Sequence, residues 1–372
     1  MSIKNAIWWW LMKVLYACSF SLNEGAGKSR ATFQKLDALS HLVNELYICS
    51  FPYKANWIKA FALPFFELYV CSLLLLKRPD VYISRGFVGW LSLRFARVIN
   101  ITTVREVHAD LAGEIDLLKL SRQAKYVLRI YSHLSISSDK YADIRIFNNP
   151  DLMAWFHRVY GERKSDGYVY NGYCEDGGAE LTKEQARRLF GFAETARILV
   201  FVGSASEWHG VDFLVKLQEE FIKFGDGISI VCGGGAVASS LDPNKILLNL
   251  SPLDELGCAS LIKASDLCLL PVKNNRVSPG SPLKLYDYIL NGAWVAAQSN
   301  TNGYSDEVTN LGVGFSVDFR SPSLAREAIK EFFDSKTHLV KPRKVNASWR
   351  VRMQQWLYII DAAPSRSLRK SH

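Results

Sequence analysis

Short runs of apolar and β-branched residues alternate along this chain with longer stretches of helical period. In the first half, Lys13–Cys18, Glu45–Cys49, Val81–Ser84, Thr102–Val107, Ile144–Phe147 and Tyr168–Tyr170 predict strands. Lys28–Leu42 and Phe87–Val98 predict helices between them. A polar segment, Asn171 to Glu194, then breaks the rhythm, and its Glu175-Asp176-Gly177-Gly178 cluster marks a loop. The alternation restarts with strands at Arg197–Gly203, Ile228–Cys232, Ile246–Leu250, Leu267–Pro271, Trp294–Gln298 and Val313–Val317. Helices are expected from about Val211 and at Asp254–Ala264, Pro282–Leu290 and Leu324–Phe333, with a final one at Ser348–Ile360. Strand–helix alternation of this kind predicts parallel α/β domains. The breaks divide the chain into 11–174, 175–344, a terminal helix at 345–361 and a basic tail at 362–372.

Composition agrees with two domains. A chain of 372 residues is long for one hydrophobic core, and 49% apolar with 22% charged residues is globular rather than disordered. The net charge of +9 points to phosphate ligands or an anionic surface. It is dispersed, with no basic block of the kind a nucleic-acid arm carries, so no nucleic-acid partner is expected. The seven cysteines form no CxxC pair and sit in apolar runs, the usage of a reducing compartment such as the cytoplasm. Trp57 to Leu76 is strongly apolar, yet Lys59, Pro64 and Glu67 interrupt it. It predicts an amphipathic or buried helix, with peripheral contact at the inner membrane face as the alternative.

The most informative stretch is Ser278–Ala297, SPGSPLKLYDYILNGAWVAA. Pro282 suits a first helical turn, so a helix is expected to start there, after Gly280 and Ser281. The amides of such a helix start, with Lys284 nearby, make a phosphate site. Asp287 stands where a carboxylate reaches two adjacent ribose hydroxyls. This segment resembles the donor-binding motif of the family-four retaining glycosyltransferases, matching at Ser281, Pro282, Leu283, Lys284, Leu285, Tyr288 and Gly292. Asp287 takes the place of the family's ribose-binding glutamate, and Pro279 replaces its other glutamate. Gly203 and Trp208-His209-Gly210 resemble the start of the family's donor domain, with Ser204 and His209 where it usually has Arg and Lys. Gly234, within Gly233-Gly234-Gly235, resembles its glycine turn. Leu250 to Leu256 resembles the loop that stacks on the base.

In the first half, Asn23 to Gly27 follows the first strand where the family has a glycine loop, making Gly25, Gly27 and Lys28 candidate acceptor or phosphate contacts. A strict phosphate-binding GxxxxGKS loop is excluded, because Leu22 stands where its first glycine belongs. His108 ends another strand and takes the position of the family's hexose-contacting histidine, with Glu106 or Asp110 to orient it.

The resemblance implies the GT-B fold, two Rossmann-like α/β domains facing each other across a cleft. The first domain would bind acceptor and the second the nucleotide sugar, and Trp349–Tyr358 resembles the family's terminal helix, which crosses back onto the first domain. The implied reaction is retaining transfer from a nucleotide-diphosphate sugar to a glycan or lipid-linked acceptor, in surface polysaccharide biosynthesis. No DxD-type motif stands among these elements, so neither a metal nor another cofactor is expected. The substitutions at Ser204, His209 and Pro279 leave a catalytically degenerate GT-B scaffold as one alternative, and a different enzyme of two α/β domains, such as a sugar epimerase or phosphorylase, is the other.

Overall fold

The computed structural model describes residues 9–22, 27–52, 56–117, 120–203, 209–235, 237, 240–273, 281–299 and 304–363. The chain divides into two compact units, one formed by Met1–Gly172 with Ser348–His372 and the other by Tyr173–Ala347.

The first unit is built on β1 (Lys13–Cys18), α1 (Gly27–Ser40), β2 (Glu45–Ser50), α2 (Asn56–Lys77), β3 (Val81–Arg85), α3 (Ser92–Val98) and β4 (Thr102–Val107). It continues with α4 (Leu111–Leu117), α5 (Arg122–Ser138), β5 (Ile144–Phe147), α6 (Pro150–Tyr160) and β6 (Asp166–Tyr168). Its six strands are parallel in the order β2-β1-β3-β4-β5-β6. Helices cover the sheet, which is why β1, β3, β4 and β5 are buried almost throughout.

The second unit holds α7 (Lys183–Leu189), β7 (Arg197–Val202), α8 (Val211–Phe224), β8 (Ile228–Gly233), β9 (Leu248–Asn249), α9 (Glu255–Ala264) and β10 (Leu267–Leu270). Then come α10 (Leu283–Leu290), β11 (Val295–Gln298), α11 (Tyr304–Leu311), β12 (Gly314–Val317) and α12 (Pro322–Asp334). Its parallel sheet runs β12-β11-β10-β7-β8-β9, so the strand order reverses between β7 and β10. The last helix, α13 (Trp349–Ala362), packs on α1 of the first unit. Its Met353, Trp356, Leu357 and Ile360 are buried.

Three predicted elements need correction. The helix expected at Phe87–Val98 begins only at Ser92, because Gly86 and Gly89 hold φ of 76° and 120° and keep the chain in a turn. The buried Glu67 carboxylate then accepts from the main-chain N–H of Gly89, Leu91 and Ser92, and so starts α3. The strand expected at Ile246–Leu250 shrinks to Leu248–Asn249, because the Asp242 carboxylate takes the N–H groups of Ile246 and Leu247. The strand expected at Tyr168–Tyr170 sits two residues earlier, held in register by the Arg145–Asp166 ion pair. All seven cysteines are free, four of them buried. Among the described residues, no helix is long and apolar enough to cross a membrane.

Candidate functional site

In open parallel sheets, ligands bind beyond the carboxyl ends of the strands where the strand order reverses. In the second unit that place is the end of β7 and β10. Phe201, buried near the end of β7, carries the Lys284 ammonium 4.1 Å from its ring centroid. The His209 ring lies 6.2 Å from the same centroid. Lys284 lies in the first turn of α10, and Tyr288 one turn on anchors that helix. The Tyr288 hydroxyl accepts from the Val202 N–H and donates to the Leu269 carbonyl, both at 3.2 Å, and so ties α10 to β7 and β10.

The glycines are needed here for close approach. Gly203 has φ of 141°, and a Cβ on it would stand 2.4 Å from Lys284 Cε. Gly234 has φ of 92°, and its Cβ would meet the Gly203 main-chain nitrogen at 3.0 Å. The Gly203 N–H itself donates to the Gly233 carbonyl at 2.9 Å. Glycine at 234 therefore lets two strand ends touch.

Burial lowers the Lys284 ammonium to a pKa of about 7. Its surroundings among the described residues are the Phe201 ring, the Gly203 turn and the Cys232 thiol, with no carboxylate ion pair. A cation held this way favours an anionic ligand, which would restore full protonation.

Other predicted donor residues fall as follows. Pro282 is extended (φ −78°, ψ 122°) and caps α10, which starts at Leu283 rather than at the proline as expected. The Ser281 hydroxyl donates to buried Glu307 on α11 at 2.9 Å, so it is engaged within the protein. Tyr286 donates to the same carboxylate oxygen. Asp287 is half-buried in α10, three residues after Lys284. Ser204, Gly280 and Gly25 lie outside the described residues, as does Pro279. Gly27 and Lys28 open α1.

The first unit gathers a second cluster at the end of β4. Glu106 is buried with both carboxylate oxygens occupied. One accepts from Tyr16 at 2.7 Å, and the other meets Lys35 at 2.5 Å, Arg85 at 3.4 Å and the His108 Nε2. Burial alone would raise the Glu106 carboxyl, but Lys35, Arg85 and His108 hold it well below the usual carboxylate range. Burial, aided by Arg85, lowers His108 to a pKa of about 4, so the imidazole is neutral at physiological pH. Nε2–H then donates to Glu106, and Nδ1 is an acceptor, approached by Asn148 Nδ2 at 3.4 Å. Glu106 is thus a positioning residue behind His108. Asp110, the other candidate for that task, caps α4 through the N–H groups of Ala112 and Gly113.

A cavity of ≈ 10 Å³ lies against this cluster, lined by Lys35, His108, Asn148, Tyr170, Trp349 and Trp356 among others. That is about the space of one oxygen-sized group. Asn148 Oδ1 and Trp349 Nε1 are buried without a hydrogen-bond partner among the described residues. The sequence-based expectation missed Lys35, Tyr16, Arg85 and α13's Trp349 and Trp356. Lys35 had a readable signal, since it falls on the buried stripe of α1 with Ala31, Thr32, Leu36 and Leu39. The tryptophans arrive from the far end of the chain, and no local pattern announces them. Among the described residues, no three His, Cys, Asp or Glu side chains come together as a metal-ligand set.

No family model and no curated protein matches the chain. Solved structures do. A glycosyltransferase from Rickettsia africae ESF-5 superposes with a TM-score of 0.68 at 13% identity, covering 96% of this chain and 100% of that one. Sucrose-phosphate synthase from Thermosynechococcus elongatus gives 0.65 at 13%, with 94% of each chain covered. Anabaena HepE, in complex with UDP and glucose, gives 0.62 at 14%, covering 96% and 100%. The chain has the fold of these proteins, the GT-B fold of two Rossmann-like α/β units.

Proposed function

We propose that the protein is a retaining glycosyltransferase that moves a sugar from a nucleoside-diphosphate donor to a glycan or lipid-linked acceptor in surface polysaccharide synthesis. The observation that carries this reading is Lys284, half-buried with its ammonium at the Gly203 turn and no carboxylate paired to it among the described residues. The likeness to HepE, which was solved with UDP and glucose, favours a UDP-sugar.

The roles follow from the chemistry. As the bond from the anomeric carbon to the diphosphate breaks, negative charge develops on the leaving group, and stabilising it is the largest task of the protein. Lys284 supplies the charge, His209 a further donor, and Asp287 a carboxylate for the ribose. His108, kept neutral and oriented by Glu106, presents Nδ1 to a sugar hydroxyl, which takes the place of the Asn148 amide at that nitrogen. The acceptor oxygen bonds to the anomeric carbon on the face the diphosphate leaves, and its proton passes to the departing phosphate oxygen. With these groups neutralising the charge, the reaction needs no metal. Gly25, Gly27 and Lys28 address the acceptor.

Thermal-shift titration with UDP-, GDP- and ADP-sugars tests the reading, because a ligand that binds only the folded chain raises its midpoint. The UDP series is expected to raise it in the wild type and to fail in Lys284→Met and Asp287→Ala. No shift with any donor would favour a degenerate scaffold, for which Ser204, His209 and Pro279 in place of charged groups already speak. Release of UDP during turnover separates transfer from epimerisation, which leaves the diphosphate attached.

A further inference from the structure

We infer that α2, α3 and α5 together form a docking surface for an anionic lipid bilayer, which holds the first unit against the membrane. The inference gives the transferase reading a reason for its lipid-linked acceptor, but its physical basis is independent of that reading.

The α2 helix has two unlike faces. Leu63, Phe66, Glu67, Val70 and Leu74 are buried, and the positions 61, 65, 68, 69, 75 and 76 fall together on the opposite side at 3.6 residues per turn. Those positions are Phe61, Phe65, Leu68, Tyr69, Leu75 and Leu76, all exposed, with Phe61 and Phe65 at 70% and 74%. The neighbouring α5, which packs against α2, repeats the pattern with Tyr126, Ile130 and Leu134 exposed at four-residue spacing. The α3 helix, also against α2, exposes Val98. So many large apolar side chains on adjoining helices exceed the scatter of single exposed apolar residues that any protein shows.

Charge decides the occupant. The sequences of α2, α3 and α5 bring Lys77, Arg94, Arg122 and Arg129 to the surface, the three arginines within one helical turn of the exposed Val98, Tyr126 and Ile130. They hold one acidic residue, Glu67, and its carboxylate is buried on the main chain at the start of α3. The exposed side of these helices therefore joins apolar groups to positive charge, the combination that binds a headgroup layer. A second copy of the chain would bring positive charge against positive charge, whereas an anionic bilayer complements both components. The buried Glu67 also explains why the apolar run carries a carboxylate and still presents an unbroken apolar face.

Flotation with vesicles tests this in the absence of nucleotide. We expect the full chain to bind phosphatidylcholine vesicles containing phosphatidylglycerol, and to bind pure phosphatidylcholine vesicles much more weakly. Arg94→Glu with Arg122→Glu should weaken binding to anionic vesicles about tenfold or more, as should raising the salt to about 0.5 M. Phe61→Ser with Phe65→Ser should weaken binding to a similar extent at unchanged melting temperature, since both rings are exposed. Equal binding of wild type and both variants would overturn the proposal. So would a chain that ignores anionic vesicles, or one that sediments as a dimer which the serine variant dissociates. Thermal shift with UDP-sugar on the same serine variant stays at the wild-type value if the surface serves docking alone. A failed transferase reading would instead abolish that shift in the wild type while vesicle binding persisted.

Discussion

Lys284 and His108 are both titratable side chains moved by burial, to about 7 and about 4, yet they serve opposite ends. His108 is held neutral so that it accepts, while Lys284 stands at the edge of neutrality and needs an anion to become fully charged. A UDP-sugar has no group of its own titrating near neutrality, so its binding is expected to drive proton uptake. The sign follows from the shift: above pH 7 the free lysine has lost its proton in part, and the bound diphosphate raises the pKa and recovers it. Affinity should therefore fall as pH rises from 7 to 9. Calorimetry at pH 8 in two buffers of different ionisation heat should show the uptake, and Lys284→Met should remove both the uptake and most of the affinity. Binding with no buffer dependence would place the diphosphate elsewhere. At this scale the sequence was informative for Lys284, which a residue pattern singled out. It was silent on Arg85 and Tyr16, because their partner Glu106 lies about 20 and 90 positions away along the chain, and it showed Lys35 only as a member of the buried stripe of α1.

One hydroxyl holds α10 in place. Tyr288 bonds to Val202 and Leu269, the main-chain groups at the ends of two different strands. Tyr288→Phe leaves a buried N–H and a buried carbonyl without that partner, and each such loss costs about 1–3 kcal/mol. The variant should unfold at correspondingly lower denaturant and bind UDP-sugar more weakly, since Lys284 rides on the same helix. Unchanged affinity would mean that packing of Leu285, Tyr286 and Ile289 alone positions the helix. Element existence was legible throughout, since the two-residue and 3.6-residue periods come from burial on a sheet or helix face. Boundaries moved where side chains reached into the backbone from outside the element, as Glu67 does at α3 and Asp242 does before β9.

Across the whole molecule, the last helix belongs to the first unit. Trp356 of α13 lies 4.9 Å from the Lys35 ammonium, and Arg352 donates to the Asn171 carbonyl. Removing everything after Ala347 should thus expose the first unit to protease while Tyr173–Ala347 stays resistant, as a time course with fragment mass analysis would show. Equal resistance of both units would mean that α13 contributes little to the core it covers. The sequence by itself determined two parallel α/β units and the Ser281–Gly292 stretch, because periodicity and helix-start chemistry are local properties. It also placed His108 at a strand end. Only the tertiary structure decided that Glu106, rather than Asp110, lies behind His108 and that Ser281 serves Glu307. It alone brought α2, α3 and α5 together as one apolar and basic surface. Burial, charge pairing and neighbouring helix faces arise from residues distant in the chain, and they exist only once the sheets have formed.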